Sequence, residues 1–115
     1  MSKRVLEGYP VLDETALAAS INAVETNVRY FDIASLDVTL SNDNGFDGEL
    51  EVYGSHDKVT WYKLQMSATM AITGLDPDIH LSIEKIEYAW LRPRIVVNAG
   101  DGDIKVVINA SSYSN

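Results

Sequence analysis

Apolar and polar residues alternate with a period of two along most of the chain. Leu36, Val38 and Leu40 alternate with Asp37 and Thr39. Leu50 and Val52 alternate with Glu49, Glu51 and Tyr53, and Ile104, Val106 and Ile108 with Lys105, Val107 and Asn109. Successive side chains of a strand point to opposite faces, so each run predicts a strand with one face turned inward. Ile79, Leu81 and Ile83 make a further run. Residues 59–66, Val-Thr-Trp-Tyr-Lys-Leu-Gln-Met, make another, with Val59 and Trp61 on one face. Turn formers separate the runs: Asn-Asp-Asn-Gly-Phe-Asp-Gly at 42–48, Gly-Ser-His-Asp-Lys at 54–58, Asp-Pro-Asp at 76–78, and Gly-Asp-Gly at 100–102, which reads as a hairpin turn.

Residues 13–26 admit two readings. A helix would begin at Asp13 as a cap and place Leu17, Ile21 and Val24 on one face. A strand would set Ala19, Ile21 and Ala23 against Ser20 and Asn22, and the alternation elsewhere favours it. Seven or eight short strands at regular spacing predict an all-β fold: an antiparallel β-sandwich or jelly roll with an extended N-terminal arm. Residues 1–12 read as that arm or a first edge strand, 13–110 as a single β-sandwich domain, and 111–115 as a polar tail. Pro93 interrupts an apolar strand. A proline cannot donate to a ladder, so an edge or a bulge is expected there, with Arg92 and Arg94 facing outward together.

Composition narrows the function classes. The 115 residues make one domain, and the absence of cysteine removes disulfide frameworks and thiolate metal sites. Nine basic residues against 17 acidic ones give a net charge of −8, which repels phosphate backbones and leaves no basic patch for nucleic acid. The apolar runs fall far short of the ~20 residues that span a bilayer, so no membrane partner is expected. "MSKR" is followed by no apolar run, so no signal peptide is predicted and manufacture and use inside a cell are expected.

The candidate chemistry is thin. Ser55, His56 and Asp57 are adjacent, whereas a catalytic triad must converge from separate places; a loop with local backbone bonds fits them better. His56 and His80 have no metal-ligand spacing. Asn42, Asp43, Asn44 and Asp47 offer oxygens to a hard cation, but the spacing departs from an EF-hand, and a solvated or partner-facing acidic loop is the better reading. Tyr53, Trp61, Tyr62, Tyr88 and Trp90 would suit a sugar-stacking platform if exposed together, yet both tryptophans stand in apolar strands and are expected in or near the core. No enzyme, no cofactor and no metal is expected.

Two longer stretches carry a resemblance. In residues 36–64 a strand ending in Gly54-Ser55 passes through a turn with Asp57 into a strand bearing Trp61. In residues 88–112 Tyr88, Leu91 and Arg92 lead through the 99–103 turn into a last alternating strand. This pattern resembles the small jelly-roll virion proteins of tailed phages, of the capsid cement or decoration type. The resemblance implies a viral structural protein on the outer surface of the capsid, clamping the major capsid protein as a dimer or trimer. The alternative is a β-sandwich binding module of a phage tail or fibre, or a carbohydrate-binding module. On the cement reading, partner contacts are expected from Lys3 and Arg4 in the arm, Arg92 and Arg94 on their strand, Asp43 and Asp47 in the acidic loop, and Tyr113 in the tail.

Overall fold

The computed structural model describes residues 5–65, 70–75 and 77–112, and every regular element among them is a strand. These are β1 (Val5–Leu17), β2 (Ile21–Asn22), β3 (Thr26–Asn27), β4 (Ile33–Ser55), β5 (Tyr62–Lys63), β6 (Met70–Thr73), β7 (Asp78–Ile83) and β8 (Trp90–Ser111). The helical reading of residues 13–26 does not hold: β1 runs on to Leu17, and β2 and β3 follow.

The frame is one antiparallel ribbon. β4 and β8 pair from Ile33 opposite Ser111 to Ser55 opposite Trp90. The two turn-forming clusters inside these strands therefore do not reverse the chain, and the hairpin expected at 100–102 is absent. They fold the ribbon instead. The register slips between Ser41 and Gly48, and Asn42, Gly45 and Gly100 take positive φ. At Gly100 a Cβ would run into the carbonyl of Gly45, so the partner strand comes too close for any side chain. A straight strand of 22 residues, the length of β8, would reach roughly 70 Å, whereas the longest dimension of the molecule is 47 Å.

Each half of the folded ribbon acquires its own flanks. The first half of β4 and the second half of β8 lie between β7 and β1, giving the order β1-β8-β4-β7. The other halves are flanked by β2 and β3 beside β8, and by β5 and β6 beside β4. Two four-stranded layers cut from one ribbon in this order are an antiparallel jelly roll.

The alternation places the core. Leu36, Val38, Leu50, Val52, Ile104, Val106 and Ile108 are buried, as their period predicts, and join Ile72, Leu91 and Ile95 in one cluster shared by both layers. Fully burying such a side chain contributes about 1.5–3 kcal/mol.

Two local expectations are corrected. Of the described residues 59–65 only Tyr62 and Lys63 pair as a strand, and Val59 lies 80% exposed in the loop before them; Met66 lies outside the described residues. Pro93 is not on a sheet edge: it is buried in β8, between β4 and the β2–β3 flank. Its carbonyl accepts from the Ala23 N–H at 2.8 Å, so its ring nitrogen faces the same side. There the flanking strand is broken between Asn22 and Thr26, and the missing donor meets a gap in the ladder.

Candidate functional site

The second layer has an outer face that differs from the rest of the surface. Leu91, Pro93 and Ile95 point inward along β8, so Trp90, Arg92 and Arg94 point outward. Opposite them on β4 stand Ser55, Tyr53 and Glu51. The loop from Ser55 to Trp61 then folds over this face. Arg92 lies over the Trp61 ring at 4.1 Å from its centroid, and the Lys58 ammonium lies over the Trp90 ring at 4.5 Å. Both tryptophans are half-buried and neither belongs to the core cluster, which corrects their expected place inside. A ring capped by a cation makes a cation–π contact, and the ring holds the charge up at the surface.

Ionic contacts tie the face together. Lys58 pairs with Glu25 at 3.3 Å. Glu51 receives Lys63 at 2.7 Å, the Tyr53 hydroxyl at 3.1 Å and, more loosely, the Arg94 Nε at 3.9 Å. The Lys63 ammonium holds the Glu51 carboxyl below its ordinary pKa, against the opposing effect of burial, and Glu51 raises Lys63 in return. Arg94 also donates to the Asn22 side-chain carbonyl at 3.1 Å. Arg92 differs from its neighbours. Its Nε is buried without a hydrogen-bond partner, and its guanidinium takes part in none of the ion pairs seen among the described residues.

Ser55, His56 and Asp57 serve the loop. The Ser55 hydroxyl, fully buried, donates to Asp57 Oδ1 at 3.0 Å and accepts from the Asp57 and Lys58 amides at 3.2 and 2.9 Å. Asp57 Oδ1 accepts from the amides of Val59 and Thr60 at 2.8 and 2.9 Å. The Thr60 and Val59 amides, with the Ser55 hydroxyl, hold the Asp57 carboxyl below its usual pKa. The His56 ring turns away to Tyr88, 5.1 Å between centroids, and Tyr88 in turn lies parallel to Tyr62 at 6.1 Å. No nucleophile–base pair forms here.

The acidic loop occupies the opposite end of the same layer, where the ribbon folds. Asp43 accepts from the Phe46 amide at 2.6 Å. Asp101 accepts from Asn44 at 3.3 Å, and Asp103 from the Asn42 amide group at 2.6 Å and the Ala16 N–H at 2.9 Å. Those two donors hold Asp103 below its ordinary pKa, the Asn42 side chain foremost. Asp47 is exposed. Among the described residues no three His, Asp or Glu side chains converge to hold a metal ion.

A cleft of about 580 Å³ opens between the layers on the β5–β7 side. Val52, Leu64, Met70, Leu81, Ile83 and Leu91 line it, with Lys63, Glu84, Lys85 and Glu87 nearby. Sequence reasoning missed it, because its walls come from strands on both layers and each wall reads as ordinary core.

Of the residues expected to meet partners, Arg92 and Arg94 share the outer face, while Asp43 and Asp47 sit together at the fold of the ribbon. Lys3, Arg4 and Tyr113 lie outside the described residues.

No family model and no curated relative matches the sequence. Solved structures do share the fold. One is from Bacillus endospore appendages, which form a novel family of disulfide-linked pili: 15% identity, TM-score 0.51, covering 97% of this chain and 88% of that one. Another is infectious bursal disease virus, Gx strain, at 11% identity and TM-score 0.51 over 98% of this chain. A third is the infectious bursal disease virus VP2 subviral particle, at 12% identity and TM-score 0.53 over 96%. The chain spans a third of the length of each of the two viral chains. At such identities the likeness is one of fold.

Proposed function

We propose that this chain is a non-catalytic structural protein of a virion, a cement or decoration protein on the outer surface of a capsid. The observation that carries the reading is the jelly roll itself, shared over nearly the whole chain with a virus and a subviral particle. The rest is compatible with it. Ser55 and Asp57 are spent on loop amides. The nearest approach to a catalytic triad lies on the first layer, where His80 Nδ1 stands 2.6 Å from Asp37 Oδ1 and its Nε2 3.3 Å from the Ser82 hydroxyl, with His80 and Ser82 both exposed. The outward faces carry charges that can set orientation and register against a larger subunit. The major capsid protein is the partner on this reading.

The test is to add the purified chain to otherwise complete shells and follow their melting. A ligand that binds only the intact shell stabilises it by mass action, by about 2.7 kcal/mol at 100 times its dissociation constant. A raised shell melting temperature that saturates with added protein supports the proposal. Shells that melt unchanged, with no protein cosedimenting, overturn it.

A tail, fibre or sugar-binding module is a second reading, and the outward tryptophans favour it. However, sugar stacking needs open ring faces, and Arg92 and Lys58 already lie over Trp61 and Trp90.

A further inference from the structure

The cations of this acidic chain are unevenly placed. Lys58, Lys63, Arg92 and Arg94 all belong to the outer face of the second layer. Glu25 and Glu51 pair with three of them, and Arg92 remains, stacked on Trp61 and in none of the ion pairs among the described residues, although Glu25 feels its charge at longer range. A guanidinium flattened on an aromatic ring keeps its planar fork pre-organised for a carboxylate.

The complementary feature stands at the far end of the same layer. Asp43, Asp47, Asp101 and Asp103 gather where the ribbon folds, and no ion pair among the described residues uses any of them. Three are held by amide donors, so their carboxylates are already fixed and lose little freedom on meeting a cation. Each still has acceptor capacity left. Along β4 the acidic end at Asp47 and the aromatic end at Ser55 are eight residues apart, roughly 26 Å. One molecule cannot bring the two together, but two molecules can.

We propose that the cation–aromatic face around Arg92 and Lys58 is a docking surface for the acidic fold of the ribbon of a second copy of this chain. Such a contact is heterologous: each copy uses one end to hold and the other to be held. It propagates into a ring or a filament rather than stopping at a symmetric dimer. A standard interface takes about 800 Å² from each partner, about an eighth of the 6575 Å² surface here. With no cysteine in the chain, the assembly is held without disulfides, unlike the pili that share the fold. This inference goes beyond the capsid reading and does not depend on it.

Sedimentation velocity of the full chain tests it, from micromolar to near-millimolar protein. The salt is set at about 0.01 M, where charges are felt over about 30 Å, and at about 1 M, where they are felt over about 3 Å. At low salt the protein should grow beyond a dimer, and at high salt it should fall back to monomer. Arg92→Glu with Lys58→Glu should weaken association about tenfold or more, as should Asp43→Lys with Asp47→Lys. Mixed in equal amounts, the two variants should associate again, because the reversed face of one accepts the reversed fold of the other. A monomer at every concentration and salt overturns the proposal. So does a dimer that ignores the Asp43 and Asp47 changes, and so does a mixture of two folded variants that fails to recover. Folding is checked by thermal melting. If the first variant does not fold, Lys58→Glu alone against Asp47→Lys alone makes the same exchange. Shell binding is measured separately, so loss of either reading leaves the other standing.

Discussion

The two layers are halves of one ribbon, yet they are finished differently. In the first, β1 and β7 run as long flanks, 13 and 6 residues, beside the central pair. In the second, β2, β3 and β5 are two residues each, and only β6 reaches four. Backbone ladders complete one layer. Side chains complete the other: Arg92 on Trp61, Lys58 between Trp90 and Glu25, and Lys63 with Arg94 at Glu51. The layer with the weaker ladder is the one whose outer face carries the cation–aromatic contacts, since broken strands release loops that fold across it, whereas the first layer carries a polar chain of Ser82, His80, Asp37 and Asn109 laid directly on its strands.

The largest effects should ignore this difference, because both layers share one core. Leu36 in the first and Leu50 in the second are fully buried. Leu36→Ala and Leu50→Ala should each cost about 2.5–5 kcal/mol in denaturant unfolding. A Leu50→Ala cost near zero would break the comparison by showing that the second layer adds nothing to the core. The fold of the ribbon comes next. Gly100→Ala must strain a positive φ and displace the Gly45 carbonyl, and should cost about 2 kcal/mol or more. Gly8→Ala, with the same sign of φ but open space around its Cβ, should cost about 1 kcal/mol.

Ser55→Ala removes the acceptor of two amides and should cost about 1–2 kcal/mol. The pH response follows in size. Three of the carboxyls held below their ordinary pKa, Glu51, Asp57 and Glu25, belong to the second layer or its loops, held by Lys63, by the Thr60 and Val59 amides, and by the Glu25 backbone amide with Lys58, while a fourth, Asp103, sits at the fold of the ribbon. A depressed carboxyl stabilises the folded state above its unfolded pKa, and that contribution is lost as pH falls through the folded one. Stability should therefore hold from neutrality down to the ordinary carboxylate range, near 4, and decline below it. Both tryptophans sit on this layer, so their emission should shift in acid before circular dichroism reports loss of the strands. Simultaneous changes would mean the two layers fail as one. The smallest effect is the stack itself: a double-mutant cycle of Arg92→Gln and Trp61→Leu should give a coupling of about 0.5–1 kcal/mol.

The sequence was most legible where one side of a strand is core and the other is water. In residues 36–40, 49–53 and 104–109 every inward and outward assignment matches the structure. Legibility failed where glycine and asparagine stand in the path. Residues 42–48 and 100–102 have the composition of turns, and positive φ is what they provide. Whether positive φ reverses a chain or only folds it depends on the strand alongside, here 57 residues away at Asn44 and Asp101. The tryptophans misled for a related reason. An apolar neighbourhood in sequence marked Trp61 and Trp90 as interior, but their large rings can be half-covered by a cation on the outside, and Arg92 and Lys58 do that. Pro93 marked an irregular ladder correctly and its location wrongly, since the break is in the strand beside it.

The pairing of Ile33 with Ser111 and Ser55 with Trp90 also bears on how the chain is made. The ribosome delivers all of β4 before any of β8 exists; β5, β6 and β7 can pair one of its edges earlier, but the edge that meets β8 has no native partner until the final fifth of translation. Topologies built on such distant partners fold slowly, in milliseconds to seconds. Asp37, Asp43, Asp47, Glu49 and Glu51 give that segment charges of one sign only, and like charges along an unpaired strand disfavour its pairing with another copy.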